Sequence, residues 1–247
     1  HQEFEGRASW GATFSKNSPN VDDHGHGTHV AGIVGGKTYG VAKKANLVAV
    51  KVLNAGGTGY TSDVIAGINY VLNRAKPSKD ATTSGYTTIT GIVNMSLGGS
   101  FSAALNQIIN DSAYTGLQFV SSAGNSGDDA CQYSPASAEG VITVGAMDIT
   151  DTRAPFSCYG ACVDIFAPGK GIVSAYIGSN TASAVYSGTS MASPHISGLA
   201  AYYIMTSPKK YNMQQIYALL ASTGTKSALS SIGARSLNLL AYNNIGA

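Results

Sequence analysis

The chain has 247 residues, 44% of them hydrophobic and only 11% charged, with a net charge of +2. That length buries a substantial core as one α/β domain, and so sparse and balanced a charge excludes the basic stripe of a nucleic-acid binder. No apolar run reaches the ~18 residues of a membrane span and nothing at the start has a signal-peptide pattern, so residues 1–247 read as a single domain that partners neither nucleic acid nor membrane.

Residues 1–20 are polar and irregular, with Phe4, Trp10 and Phe14 the only large apolar side chains, and predict no regular element. Asp22-Asp23-His24-Gly25-His26-Gly27-Thr28-His29-Val30-Ala31-Gly32 then reads as a glycine turn feeding a short helix of small residues, close enough to a sheet to hold an imidazole rigidly. The histidines leave two other readings open. They are incidental to a glycine-rich loop, or His24, His26 and His29 ligate zinc with Asp22 or Asp23 beside them.

Leu47 to Leu53 is a β-branched run of strand length, and Asn54 to Tyr60 is an open glycine-rich loop. Thr61 to Ala75 predicts a helix capped by Thr61, Ser62 or Asp63, with Val64, Ile65, Ile68, Val71 and Leu72 on its inner face. Residues 76–88 read as a polar surface loop. Ile89 to Leu97 is the next strand, Phe101 to Tyr114 the next helix, and Leu117 to Ala123 a third strand. This alternation implies right-handed crossovers and a parallel sheet with helices on its faces, and such sheets bind beyond the carboxyl ends of their strands. On that rim fall Gly57, Thr58, Gly59 and Tyr60, then Ser96, Leu97 and Gly98, then Ala123, Gly124 and Asn125. Glycines there admit an extended peptide as an added strand. Asn125 reads either as a left-handed turn residue or as an amide donor to an oxyanion.

Glu139 to Ala146 and Cys162 to Ala167 are further strands, Ile172 to Ile177 opens a hairpin-like excursion, and Met213 to Ser222 is a final amphipathic helix. Ser190 lies where a strand-like segment gives way to the helix Met191 to Met205, which has Leu199, Ala200, Tyr203 and Ile204 at core spacing. A hydroxyl at that junction is an ordinary helix cap, or a nucleophile among unpaired amides at the positive end of the helix dipole. Cys131, Cys158 and Cys162 allow one disulfide and one remaining thiol; their spacing is not that of a zinc knuckle. An oxidised pair favours a secretory or vacuolar compartment.

Three stretches taken together, His26-Gly27-Thr28-His29-Val30-Ala31-Gly32, Ser121-Ser122-Ala123-Gly124-Asn125 and Gly188-Thr189-Ser190-Met191-Ala192-Ser193-Pro194-His195, resemble the subtilisin-like serine proteases, or subtilases. The likeness is greater to the proteinase K-like branch, and it extends from Phe4-Glu5-Gly6-Arg7 to Leu237-Asn238-Leu239-Leu240. It implies a three-layer α/β fold, a mostly parallel central sheet with helices on both faces. It also implies a serine endopeptidase in which His26 is the general base and Ser190 the nucleophile, with Asn125 and the Ser190 amide forming the oxyanion hole. Gly57 to Tyr60 and Ser96 to Gly98 would clamp the substrate, and Ala123 and Gly124 would line a broad pocket for apolar or aromatic side chains. His29 and His195 take no chemical role.

The resemblance has one gap. Subtilases carry their acid first, in the order Asp, His, Ser, on a buried strand that is missing from this chain, and neither Asp22, Asp23, Asp63 nor Asp164 replaces it. A sheet lacking that strand exposes apolar faces and unpaired backbone groups, so the expectation is a polypeptide extended N-terminally, with the missing part unrecorded or a separate cleaved fragment. An inactive subtilase scaffold is the alternative. The resemblance further implies a Cys131–Cys162 disulfide with Cys158 free, no cofactor for the chemistry, and a structural calcium held by Asp164 and the carbonyls of Glu139 and Val141; the other reading pairs Asp164 with a surface cation. The expected partners are polypeptide substrates and an inhibitory propeptide or N-terminal fragment, around a monomer that is secreted or vacuolar.

Overall fold

The computed structural model describes residues 1–75, 88–112 and 115–243. In chain order the elements are β1 (Ala8–Thr13), α1 (His26–Gly35), β2 (Leu47–Lys51), α2 (Thr61–Arg74), β3 (Gly91–Met95), β4 (Gly99–Ser100), α3 (Ala103–Asp111) and β5 (Leu117–Ser122). There follow β6 (Tyr133–Ser134), β7 (Val141–Met147), β8 (Ile165–Pro168), β9 (Ile172–Ala175), β10 (Ser183–Tyr186), α4 (Thr189–Thr206), α5 (Met213–Thr223), β11 (Thr225–Lys226) and β12 (Leu239–Leu240). The main sheet has the order β11-β12-β8-β7-β5-β3 and is parallel from β3 to β12, with β11 antiparallel at its edge.

Strand alternation divides the core into two apolar layers. Val120, Ile142, Val144 and Ile165 face Ile196, Leu199 and Ala200 of α4 and Ile216 and Leu220 of α5. Met95, Phe119 and Val141 face Val64 and Ile68 of α2 and Leu105 and Ile109 of α3. The result is the expected three-layer arrangement. Every residue of β5 is buried, as befits a central parallel strand covered on both faces.

Several expectations need correction. Residues 1–20 are not irregular: Gln2–Phe4 form a 3-10 turn and Ala8–Thr13 form β1, paired in parallel with β2. The pairing relies on backbone bonds along a partly exposed strand, so no apolar alternation marks it in the sequence. The cap of α2 is Tyr60, with no side-chain bond, because Thr61, Ser62 and Asp63 are already helical. The helix expected over Phe101 to Tyr114 runs from Ala103 to Asp111, started by Ser102 Oγ accepting from Leu105 N–H; Tyr114 lies outside the described residues, as does most of the loop expected at 76–88.

The sheet is interrupted where a missing strand was expected. Among the described residues β1 and β2 form a separate pair, and no hydrogen-bonded ladder joins β2 to β3. A cavity of about 1730 Å³ opens there and continues past His26 and Ser190; between the strands it is lined by Val48 and Val50 of β2, Ile92 and Asn94 of β3, Val34 of α1 and Ala201 of α4. A second, of about 550 Å³, reaches the same two strands from the α2 side at Val64 and Ile68. Protein interiors are close-packed, so apolar strand edges facing a gap of this size form a slot.

Candidate active site

The amino end of α1 carries His26 as its first residue, and the preceding turn is held by a single carboxylate. Asp22 Oδ1 accepts from the N–H groups of His24 (3.1 Å) and Gly25 (2.8 Å), while Oδ2 accepts from Thr28 N–H (2.7 Å) and the Thr28 hydroxyl (2.6 Å). Gly25 takes φ 95°, a left-handed conformation that a side chain would strain. Asp22 thus ties the turn to the first turn of the helix, and Asp23 is committed to Lys51. Burial, and then the neighbouring imidazoles of His24 and His29, hold the His26 pKa below its ordinary value, with Asp22 opposing them; His26 is therefore a neutral base near pH 7.

The three histidines do not converge. The His24 and His26 ring centroids are 6.3 Å apart, whereas His29 is fully buried and stacks on Tyr186 with its Nε2 toward the carbonyl oxygens of Ile172 and Ala184. Among the described residues no three His, Cys, Asp or Glu side chains are grouped to hold a metal. His195 bonds the Met191 carbonyl within its own helix.

Ser190 is in the first turn of α4, whose largely buried body, from Met191 to Ala200, fixes it against the sheet. Pro194 lacks an N–H, which frees the carbonyl four residues earlier, that of Ser190. The Ser96 hydroxyl supplies the missing donor at 2.7 Å. Asn94 extends this tie: its Oδ1 accepts from the hydroxyls of Ser193 (2.9 Å) and Ser197 (2.8 Å), and its Nδ2 donates to Ser96 Oγ at 2.9 Å. Ser190 Oγ itself donates to the Ser96 carbonyl at 3.3 Å.

Asn125 is oriented by Thr189. Both the Thr189 N–H and its hydroxyl donate to Asn125 Oδ1, each at 2.9 Å, so that atom must be the amide oxygen and the NH₂ is the group left to donate elsewhere. The free amide lies beside Gly188, where a Cβ would approach Asn125 Nδ2 to 3.5 Å. Here are two donors, one side-chain and one backbone, at the head of a helix beside a serine hydroxyl, which is the arrangement that stabilises a developing oxyanion.

His26 and Ser190 line the same cavity as Gly57, Thr58, Gly59, Tyr60, Ser96, Leu97 and Gly98. The loop and post-strand segments remain free of regular structure, open to an added strand. Ala123 and Gly124 lie beyond β5 with Asn125, outside that lining: Ala123 is fully buried, and Gly124, at φ 109°, has no room for a side chain beside Cys158 Sγ. Cys131 and Cys162 form the disulfide, and Cys158 is a buried free thiol that donates to Asp128.

Asp164, at the amino end of β8, and Glu139 and Val141, at the amino end of β7, occupy the opposite edge of the sheet from Ser190. Burial raises the Asp164 carboxyl to about 6 despite bonds from Thr143 N–H and Tyr217. A desolvated carboxylate answered only by neutral donors fits a hard cation with oxygen ligands.

Sequence reasoning missed the orienting residues. The Thr before Ser190, and Asn94 followed two residues later by Ser96, are the signals present in the chain; their partners are 64 or more positions away.

A model described as the subtilase family matches residues 5–236. Subtilisin-like protease 2 of Pseudogymnoascus destructans is 51% identical over all of this chain, which spans 58% of that relative. Alkaline protease 2 of Aspergillus fumigatus is 46% identical, again over the whole chain and 52% of the relative. The chain therefore spans a little over half the length of these relatives. The crystal structure of a cold adapted subtilisin-like serine proteinase superposes with a TM-score of 0.89 at 40% identity, covering 98% of this chain and 84% of that one.

Proposed function

The chain belongs to the subtilase family, and from that premise we propose that it is the body of a serine endopeptidase whose nucleophile is Ser190 and whose general base is His26. One observation carries the reading: Asn125 is turned by Thr189 so that its amide, with the N–H of Ser190, is free to receive an oxyanion beside the Ser190 hydroxyl. Ser190 Oγ attacks the peptide carbonyl while neutral His26 takes its proton; the amides of Asn125 and Ser190 hold the negative oxygen. His26 then gives the proton to the leaving amine, and water, activated by the same imidazole, cleaves the acyl-enzyme. Extended substrate would lie between Gly57–Tyr60 and Ser96–Gly98. Beyond the end of β5 the chain offers only the uncharged Ala123 and Gly124, which supports a preference for apolar and aromatic side chains before the cut bond.

The acid that orients His26 comes, in this reading, from a strand filling the slot between β2 and β3, supplied by an N-terminal segment of the same polypeptide or a fragment that remains bound. Asp164 and the carbonyls of Glu139 and Val141 would hold a calcium ion, which would screen the buried carboxylate and serve stability rather than the chemistry. The disulfide supports a secreted or vacuolar protein, whose other expected partner is an inhibitory propeptide. Among the described residues no helix is long and apolar enough to cross a membrane.

An inert scaffold is favoured by one observation, that Ser190 Oγ donates to the Ser96 carbonyl. Casein hydrolysis by the full-length protein and by Ser190→Ala separates the two. The protease reading expects turnover that sulfonyl fluorides abolish and the variant lacks; turnover abolished by chelators and untouched by sulfonyl fluorides, or none at all, contradicts it.

A further inference from the structure

The hairpin of β9 and β10 leads directly into the Ser190 turn, and its two tyrosines reach across to the His26 turn. Tyr186, at the end of β10 and four residues before Ser190, donates its hydroxyl to that of Tyr176 at 2.7 Å. Tyr176, just beyond β9, donates in turn to the carbonyl oxygen of His24 at 3.0 Å, two residues before His26. The rings meet edge to face, with centroids 5.6 Å apart, and Tyr176 lies against Gly25, where a Cβ would clash with it. Tyr186 is itself fixed from behind by the stacked His29 ring, at 4.8 Å between centroids. Its pKa is raised to about 12, first by the Tyr176 bond and then by burial and Asp22, so it remains a donor at any working pH.

We propose that the Tyr186–Tyr176 pair is a strut that sets where His26 stands relative to Ser190, making both tyrosines positioning residues for proton transfer. The inference rests on the serine-protease reading. Asp22 fixes the start of α1 to itself, but nothing in that cradle ties α1 to the nucleophile. The body of α1 is held to the hairpin by the His29 bonds and packs Val30 and Ile33 on Met191 of α4, and the two hydroxyls extend that tie to the turn before His26: one end of the chain of bonds is covalently four residues from Ser190 and the other is two residues from His26. Base and nucleophile must approach within hydrogen-bond reach, and displacements of about 1 Å are enough to cost up to ~10²-fold in rate.

Phenylalanine keeps both rings and their contacts and removes one hydroxyl at a time. The test compares Tyr176→Phe, Tyr186→Phe and the double variant in the full-length protein, reading kcat and KM on a peptide substrate and the rate at which a phosphonate labels Ser190. The strut predicts kcat and labelling reduced about tenfold in Tyr176→Phe with KM within about twofold, and a smaller loss in Tyr186→Phe. Because Tyr186 acts through Tyr176, the double variant should be no slower than Tyr176→Phe alone. Unchanged kcat and labelling in Tyr176→Phe, losses that multiply in the double variant, or a loss confined to thermal stability would overturn the strut while leaving the protease reading intact. A parent protein that does not label at Ser190 overturns both.

Discussion

Replacing Asp22 by alanine tests how α1 is held, and with it the imidazole at its first position. The carboxylate serves four donors, and the Gly25 N–H among them is on a buried residue. Loss of an N-terminal cap costs ~0.5–2 kcal/mol, and a buried donor left without a partner adds ~1–3 kcal/mol. Water reaches the half-buried remainder, so the expected destabilisation of Asp22→Ala is about 3 kcal/mol, read from urea unfolding at pH 7 at constant slope. Asp22→Asn keeps one good acceptor and should lose roughly half as much. The pH dependence supplies a second check. Burial alone would raise the Asp22 pKa, but the bonds from Thr28, Gly25 and His24 outweigh it and hold the pKa below 3.8. A carboxyl depressed in the folded state stabilises above its unfolded pKa, and that contribution is lost as pH falls through the folded value; the slope should vanish in Asp22→Asn. Turnover should fall about tenfold in Asp22→Ala as His26 loses its seat. A variant within 0.5 kcal/mol of the parent, about the spread of ordinary surface substitutions, would refute the cradle.

The Cys131–Cys162 bridge closes a loop with a sequence separation of 31, which gives about 3.7 kcal/mol from chain entropy. Cys131→Ser should lower the urea midpoint accordingly, and denatured protein should titrate one thiol before reduction and three after; three without reductant would contradict the bridge. Chelation should lower the melting temperature, and Asp164→Asn should remove that calcium dependence; equal chelator sensitivity in parent and variant would exclude Asp164 as a ligand. Phosphonate labelling of this chain should slow as pH falls and His26 protonates, with its midpoint below 6.5 because burial and the neighbouring imidazoles disfavour the cation. A carboxylate entering from the slot should move that midpoint upward, and labelling that speeds up in acid would count against His26 as base.

Much of this was legible where one segment carries its own signal. The β-branched run at Leu47 and the strand Leu117–Ser122 declare themselves by composition, and the head of α4 by a serine between glycine and an apolar helix. β1 was not legible, since Ala8-Ser9-Trp10-Gly11-Ala12-Thr13 offers no alternation and its partner β2 lies nearly 40 residues on. The Tyr176–Tyr186 contact depends on hairpin register and on the distance to a turn 152 residues earlier in the chain, neither of which a local pattern encodes. Thr189 could be seen but not interpreted: its role exists only because Asn125 is brought to it. The gap in the sheet was foreseen from an absent motif, and the structure adds its place, between β2 and β3.

The most direct measurement is mass mapping of the full-length protein after reaction with a biotinylated phosphonate at neutral pH. One adduct on the peptide carrying Ser190, absent from Ser190→Ala and strongly reduced in His26→Ala, is the predicted result. An unmodified Ser190, or an adduct formed equally well without His26, would mean that the alcohol and the imidazole do not work as one unit.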